Sequence, residues 1–551
     1  MGKPKLRIIP LGGLGEIGKN MTVFELGNDA VILDTGIMFP ANDMLGVDYI
    51  IPDFRYLQDR KDLKIHGIIY THGHEDHTGA VSHVIEAFKG VPIYATPLTA
   101  GLLEVKLIEA RLLKETKINI FKAGDKLEIG PFKFESFHVC HSIPDCVGFG
   151  IHTPHGIIVH TGDYKFDNSP VDGKKPDYAR LAQFAKQGVT LLMADSTNAD
   201  RPGWTASESV IDGAFDTVFR NAKGRIMVAT FASLISRVQQ VVAAAKKYNR
   251  KIAFAGHSMV KNVDMARAMG ILSIPDDMII ELGRVNTMEP HKVVVMITGS
   301  QGEPSAVLAK LSTGNYRAIE INPGDTIVLS SHPIPGNEEM VYRTVNRLFQ
   351  RGAEVIYDPI LPVHVSGHAC QEEMRLMLNL VQPKYFMPVH GELRHLRHHS
   401  KLAEDGGIKK DNIFVMENGM VLEIDKGGAR RGERVPGGYV FVDGSGVGDI
   451  GKTVMRDRET LARDGFILIS VNVNKKTGAL IGEPEIISRG FVYLRDADEL
   501  MRQVKTTITT VLDNNRNANG RRQEKLQDSI SRMLYNETKR RPMVFSIINE
   551  R

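Results

Sequence analysis

Short apolar stretches rich in β-branched and aromatic residues, each closed by Gly, Asp or His, run from Leu6 to about Asp195. Met21–Leu26, Ala30–Asp34, Gly67–Tyr70, Phe132–Phe137, Ile157–His160 and Thr190–Asp195 predict strands whose polar tips sit on the loops that follow. From about Ser207 to Asp358 the pattern changes. Helical periodicity over Ser207–Asn221, Leu234–Tyr248 and Glu338–Arg351 alternates with strand-like Arg225–Ala229, Lys251–Ala255, Lys292–Ile297 and Thr326–Leu329, which predicts a separate α/β domain. After His364 the first style returns, with Tyr385–Val389 running into His390 and Gly391, so the middle domain reads as an insertion. Glycine thickens from Gly427 to Gly451, as in a linker. Beyond Thr453 there is room for a small α/β domain, with strand-like Gly465–Val473 and Phe491–Leu494 and then a long helix from Ala497. The expected boundaries are 1–206 and 359–435 for the two parts of the first domain, 207–358 for the insertion, 436–452 for the linker and 453–551 for the last domain.

Composition narrows the class without naming it. A chain of 551 residues is too long for one core, and 42% hydrophobic with 24% charged residues excludes wholesale disorder and fibrous classes. Cys140, Cys146 and Cys370 are too few and irregular for a disulfide framework and fit a reducing cytoplasm. No apolar run approaches the ~20 residues of a membrane helix, and Met1 to Pro10 holds no signal-like stretch. Gly2 lacks the Ser or Thr that myristoylation needs, since Leu6 stands there. No membrane is expected. The net charge of +4 is too mild to announce a nucleic acid, so any such partner has to be argued from local sites.

The densest chemistry is Tyr70-Thr71-His72-Gly73-His74-Glu75-Asp76-His77-Thr78-Gly79, directly after a β-rich run. Imidazole and carboxylate ligands at this spacing suit Zn²⁺ or Mn²⁺. A strand end can splay His72 and His74 toward one ion while the turn aims Asp76 and His77 at a second. A lone histidine on such a loop would be merely solvated, which does not account for this cluster. Further ligands stand at other strand ends, namely His141, Asp163 and His390, with Asp163 placed to bridge two ions. Singly each has a bland reading, Asp163 as a turn cap and His141 as a core histidine. Jointly they match the ordered ligand set of the metallo-β-lactamase superfamily, and Asp34 matches its first-motif aspartate, expected to hold a ligand from behind.

The cage alone does not name a substrate. Leu191-Leu192-Met193-Ala194-Asp195-Ser196-Thr197-Asn198, Phe231-Ala232-Ser233 and His364-Val365-Ser366-Gly367-His368-Ala369, with the inserted domain, resemble the β-CASP nucleases. Leu11-Gly12-Gly13-Leu14-Gly15-Glu16-Ile17-Gly18-Lys19-Asn20-Met21 and Met387-Pro388-Val389-His390-Gly391-Glu392 resemble the ribonuclease J family, and the likeness spans essentially the whole chain. It implies a metallo-β-lactamase αββα sandwich with an inserted α/β β-CASP domain and a small α/β C-terminal domain. It also implies two divalent ions, Zn or Mn, held by His72, His74, Asp76, His77, His141, Asp163 and His390, none of which is missing. His368, Asp76 and Asp195 are implied for catalysis, and Ser233, His364, Ser366, Gly367 and His368 for holding RNA phosphates. Leu234 departs from the family, which often has Asn after Phe-Ala-Ser.

The implied activity is 5′-to-3′ exoribonuclease and endoribonuclease cleavage of single-stranded RNA in mRNA decay and rRNA processing, with 5′-monophosphorylated ends preferred. The implied assembly is a homodimer or homotetramer, built partly through the C-terminal domain, with a paralogue or other RNA-decay proteins as further partners. Two alternatives come from other classes. Gly446-Val447-Gly448-Asp449-Ile450-Gly451-Lys452-Thr453 satisfies the P-loop pattern of an ATPase or GTPase, but the chain ends at Arg551, leaving little room for a nucleotide fold. A non-catalytic RNA-binding subunit would need no stoichiometric metal. Gly13-Leu14-Gly15-Glu16-Ile17-Gly18 fits the dinucleotide fingerprint, yet β-like Met21–Leu26 follows where a helix is required, so a glycine-rich hairpin is expected.

Overall fold

The computed structural model describes residues 4–551 except 42, 304, 335–336, 493–497 and 516–520. It forms two compact units, Met1–Phe39 with Tyr49–Val440, and Pro40–Asp48 with Phe441–Arg551.

Two sheets build the first domain. One orders its eight strands from Gly428–Arg434 through Leu6–Gly12 and Lys64–Ile69 to Ile118–Ile120, and the other orders six from Tyr385–Val389 to Lys126–Ile129. Successive strand residues face opposite ways, so Leu191 and Met193 enter the core between the sheets while Leu192 and Ala194 face the helices outside. The inner layer joins Phe24, Leu33 and Ile69 to Phe134, Phe149 and Met387. Outside the first sheet, Val81, Val84, Leu103 and Leu107 of helices Val81–Ala87 and Pro97–Glu109 cover Ile9, Val23 and Ile32. Outside the second, helices Tyr178–Gln187, Gln371–Val381 and Leu393–Asp405 supply Phe184, Met377 and Leu402. This is the expected αββα sandwich.

The insertion is a five-stranded parallel sheet in the order Lys251–Ala255, Val293–Ile297, Ile226–Ala229, Thr326–Leu329, Glu354–Ile356. A parallel sheet is covered on both faces, which explains the unbroken apolar run of Val293–Ile297. Helix Glu338–Gln350 buries Val341, Thr344, Val345 and Leu348, one face at helical spacing.

The smaller unit holds strand Phe466–Val473, antiparallel to Leu480–Arg489 and parallel to Met543–Glu550. Ile467, Ile469, Val471 and Val473 pack on helices Asp498–Asn514 and Arg522–Thr538. Phe491 and Val492 lie in no strand, and Tyr493, Leu494 and Ala497 of the expected strand and helix lie outside the described residues. Within 436–452, read as a linker, stand the strands Tyr439–Asp443 and Gly446–Val447.

The topology places the site. Tyr385–Val389, Val189–Asp195 and Gly156–His160 are mutually parallel, so Asp163, Asp195 and His390 emerge at one edge. Phe132–His138 runs the same way through two antiparallel pairings and brings His141 to that edge. In the other sheet Asp29–Leu33 and Lys64–Ile69 are parallel and end on Asp34 and on the segment from Thr71.

Candidate active site

The seven expected ligands converge. Nε2 of His72 and Nε2 of His141 each lie 3.1 Å from Nδ1 of His74. Oδ2 of Asp163 stands 3.6 Å from His72 Nε2, 3.6 Å from His141 Nε2 and 3.2 Å from His77 Nε2. Oδ2 of Asp76 lies 3.6 Å from His77 Nε2 and 3.3 Å from His390 Nε2. The donors form two groups, His72 with His74 and His141, and Asp76 with His77, Asp163 and His390, each having its ligand atoms within 4.8 Å of one another. Asp163 Oδ2 reaches both.

The charge state of these groups fits a cation. Burial holds the imidazoles of His72 and His141 well below their ordinary value and brings His74 down to about 4, so three neutral rings aim nitrogens at one point. Burial also depresses His77 and His390, but the surrounding carboxylates, Asp163 and Asp76 with Asp34 or Asp195, together outweigh it and carry His390 up to about 10. The carboxylates around these two imidazoles favour positive charge in this half of the pocket. Asp163 Oδ2 and His390 Nε2 are buried without a hydrogen-bond partner among the described residues, an arrangement that is costly unless something else satisfies them. The donor set is that of a divalent-metal site.

Side chains behind the donors fix which nitrogen faces inward. Asp34 accepts from Thr71 N (2.9 Å), Thr71 Oγ1 (2.9 Å) and His77 Nδ1 (2.8 Å), leaving His77 Nε2 for the pocket. His141 Nδ1 donates to the Gly367 carbonyl at 2.8 Å, leaving its Nε2. Only glycine allows that approach, since a Cβ on residue 367 would stand 2.4 Å from His141 Nδ1.

On the open side, His368 Nδ1 donates to Asp195 Oδ2 at 2.8 Å. Burial lowers this imidazole, but the charge and hydrogen bond of Asp195 raise it above its ordinary value. Asp195 Oδ1 is held by Thr197 N (2.9 Å) and Oγ1 (2.8 Å). Ser366 Oγ accepts from Asn198 Nδ2 (2.8 Å) and His368 N (3.2 Å), so its own proton is free to be donated. His364 packs edge-on against His332 at 4.6 Å, with a buried and unpartnered Nδ1. Ser233 sits in the turn before helix Ile235–Lys247 and makes no side-chain hydrogen bond among the described residues. That turn is tied to the site by Ser236 Oγ, which donates to the Ser142 carbonyl at 3.0 Å. Leu234 is buried in the core at the helix start.

Asn20, Thr71, Thr197 and Asn198 were not singled out by sequence reasoning, although all lie inside or beside the quoted motifs. Asn20 Nδ2 donates to the Asp76 carbonyl at 3.1 Å and lies 3.2 Å from His77 Nε2. The available signal was a small hydrogen-bonding residue next to a strand-end ligand. The two glycine-rich decoys resolve structurally. Gly13–Gly18 leads into Met21–Leu26, antiparallel to Leu6–Gly12, as a hairpin does. Gly446–Val447 is one arm of an antiparallel hairpin, whereas a P-loop follows a strand of a parallel sheet.

Comparison with known proteins agrees with this geometry. Family models described as "Metallo-beta-lactamase superfamily", "Ribonuclease J, beta-CASP domain", "Zn-dependent metallo-hydrolase RNA specificity domain" and "Ribonuclease J C-terminal domain" match residues 14–257, 223–348, 353–416 and 453–551. Ribonuclease J2 of Bacillus subtilis (strain 168) is 40% identical over 549 residues, covering 99% of this chain and 98% of that protein. Ribonuclease J 1 of Streptococcus pyogenes serotype M3 is 40% identical over 98% of this chain and 97% of its own. Ribonuclease J 2 of Staphylococcus aureus (strain N315) is 37% identical over 99% and 98%. A crystal structure of a protein of unknown function from Enterococcus faecalis V583 is alike in fold, with a TM-score of 0.52 at 13% identity over 76% of this chain and 100% of that one. With a donor cage shaped for divalent metal and relatives matched end to end, this chain belongs to the ribonuclease J family.

Proposed function

We propose that the protein is a two-metal ribonuclease acting on single-stranded RNA, as a 5′-to-3′ exonuclease that favours 5′-monophosphorylated ends and as an endonuclease. The observation that carries the reading is Asp163 Oδ2, buried without a hydrogen-bond partner between the two donor groups and 3.9 Å from His368 Nδ1. His72, His74 and His141 would hold one ion, Asp76, His77 and His390 the other, and Asp163 both. When bound, Zn²⁺ or Mn²⁺ supplies Lewis acidity toward the scissile phosphate and charge for its transition state. The chain's own groups do the rest. Asp195 keeps a proton on His368 Nδ1 and stabilises the imidazolium, so Nε2 can give its proton to the departing 3′ oxygen. Ser366 Oγ, the Gly367 amide, His364 and Ser233 offer donors to substrate phosphates without bulk.

Roles in mRNA decay and rRNA processing, a cytoplasmic location, a homodimer or homotetramer and association with a paralogue or other RNA-decay proteins follow from the family as proposals. No described helix is long and apolar enough to cross a membrane. The test uses one RNA labelled at either end, carrying a 5′-monophosphate or 5′-triphosphate, with Zn²⁺ or Mn²⁺. The expected result is faster mononucleotide release from the monophosphorylated RNA. Internal fragments alone, at equal rates, would remove the exonuclease claim, and no cleavage with any divalent ion would remove the ribonuclease reading.

A further inference from the structure

Beside the metal edge, a set of charges is sealed inside the protein. Lys165, Asp167, Glu208 and Arg237 are all buried, with Lys165 and Arg237 side chains 1% exposed. Lys165 Nζ lies 3.5 Å from Glu208 Oε1 and 3.9 Å from Asp167 Oδ2, and Arg237 Nη2 donates to Glu208 Oε2 at 2.8 Å. Two cations face two carboxylates, so the set is neutral. Burying four charges is costly, and such a set more often fixes a geometry than adds stability.

The fixed element is the loop that carries His364, Ser366 and Gly367. Arg237 Nη1 donates to the Val363 carbonyl at 2.9 Å, and Ser330 Oγ donates to the same oxygen at 2.6 Å. Lys165 Nζ donates to the Ser366 carbonyl at 3.2 Å and to the Ala206 carbonyl at 3.1 Å. Gln240 Nε2 holds the Glu208 carbonyl at 3.1 Å, and Asp167 Oδ2 accepts from Glu208 N at 3.0 Å, so the glutamate is itself anchored. The loop is thus gripped from behind through its carbonyl oxygens.

A trans peptide points its C=O and N–H in opposite directions. With the Ser366 oxygen drawn toward Lys165, the Gly367 N–H faces the side away from the lysine. The amides of His364, Val365, Ser366 and Gly367 donate to no protein acceptor among the described residues, although Val365 and Gly367 are buried. Buried backbone donors normally have a partner, and the Gly367 N–H, turned away from Lys165, is one such donor without a protein acceptor among the described residues. Lys165 also ties the loop to the metal edge. It follows Asp163 by two residues, its amide donates to the Cys140 carbonyl at 2.8 Å, and His141, next along, donates to Gly367 O.

We propose that Lys165 is a positioning residue that, balanced by Glu208, pins the Ser366 carbonyl and so presents the Gly367 amide to a phosphate of the RNA backbone. The inference rests on the ribonuclease reading above. It concerns substrate grip, not the reacting atoms, so it predicts a rise in KM with kcat nearly kept.

The test replaces Lys165→Met together with Glu208→Gln, which removes the pin and one charge of each sign, so the buried set stays neutral. For a 5′-monophosphorylated RNA, KM should rise ~10-fold while kcat stays within about threefold. Hydrolysis of bis(p-nitrophenyl) phosphate, which needs the metals but no RNA grip, should stay within about threefold, and metal content should be unchanged. Equal losses on RNA and on the small diester would overturn the proposal, as would an unaltered KM. If the double variant melts far below the parent, Lys165→Met with Asp167→Asn serves, because it removes the pin while leaving the Arg237–Glu208 pair and its hold on Val363 in place. It should raise KM in the same direction, and no rise would overturn the proposal. A parent protein that cleaves no RNA with Zn²⁺ or Mn²⁺ would instead refute the ribonuclease reading, so the two failures are distinguishable.

Discussion

His72 and His74 contribute donors rather than core packing, so their removal should cost metal before it costs fold. His72→Ala with His74→Ala should abolish RNA cleavage and lower bound metal, while circular dichroism stays that of a folded protein. Activity within about tenfold of the parent would refute the assignment. His368→Ala should behave differently. Its ring meets Asp195 and faces the open side, so kcat should fall ~10²–10⁴-fold with metal content kept. Ser366→Ala should shrink the preference for a 5′-monophosphate more than it harms internal cleavage, read by comparing the two ends of one labelled RNA. At this scale the sequence was informative where identity alone announces chemistry, as in the cluster from His72 to His77. It was silent where a common residue gains its role from a distant partner. Asn198 is one of many asparagines until the fold brings Ser366 Oγ, 168 positions away, to 2.8 Å.

Elements were legible in proportion to burial. Lys251–Ala255, Thr326–Leu329 and Tyr385–Val389 form as expected, because a strand buried on both faces is a largely apolar run; Met21–Leu26 forms too, its buried Glu25 paired with Arg7 and Tyr56. In the smaller unit the last strand, Met543–Glu550, and helix Arg522–Thr538 were not foreseen. Each buries only part of a mostly polar sequence, and periodicity fades when few positions face a core. The turn at Gly367 shows what an element boundary can encode. Gly367→Ala would place a Cβ 2.4 Å from His141 Nδ1 and 2.9 Å from Ser142 N, so either the loop or the ligand must move. Metal affinity should fall ~10–100-fold, as for the loss of a group that orients a ligand, and RNA cleavage should fall with it. A titration of the variant with Zn²⁺ reads this directly, and parental affinity would show that the loop yields at no expense to His141.

The whole molecule poses the question of assembly, which no pattern of ligands answers. In the smaller unit one face of the sheet packs on two helices, and the other carries exposed apolar side chains among polar ones. Leu468 pairs across the strands with Ile487 and Phe545, and Ile487, Phe545 and Ile547 are 46%, 43% and 48% exposed. Exposed apolar side chains clustered on a sheet favour association with another surface. Since none of the three contributes to the core, charged replacements should leave the unit folded. Phe545→Asp with Ile547→Asp is therefore expected to move the protein to a smaller species in sedimentation velocity, with melting close to the parent. Truncation after Gly451 should have the same effect by removing that sheet altogether. Both variants should keep hydrolysis of a small phosphodiester, because all seven donors belong to the other unit. Both should lose processing of long RNA, as the proposed homodimer or homotetramer requires. An unchanged state of association in both, once the lower mass of the truncated chain is allowed for, would show that this face does not mediate self-association.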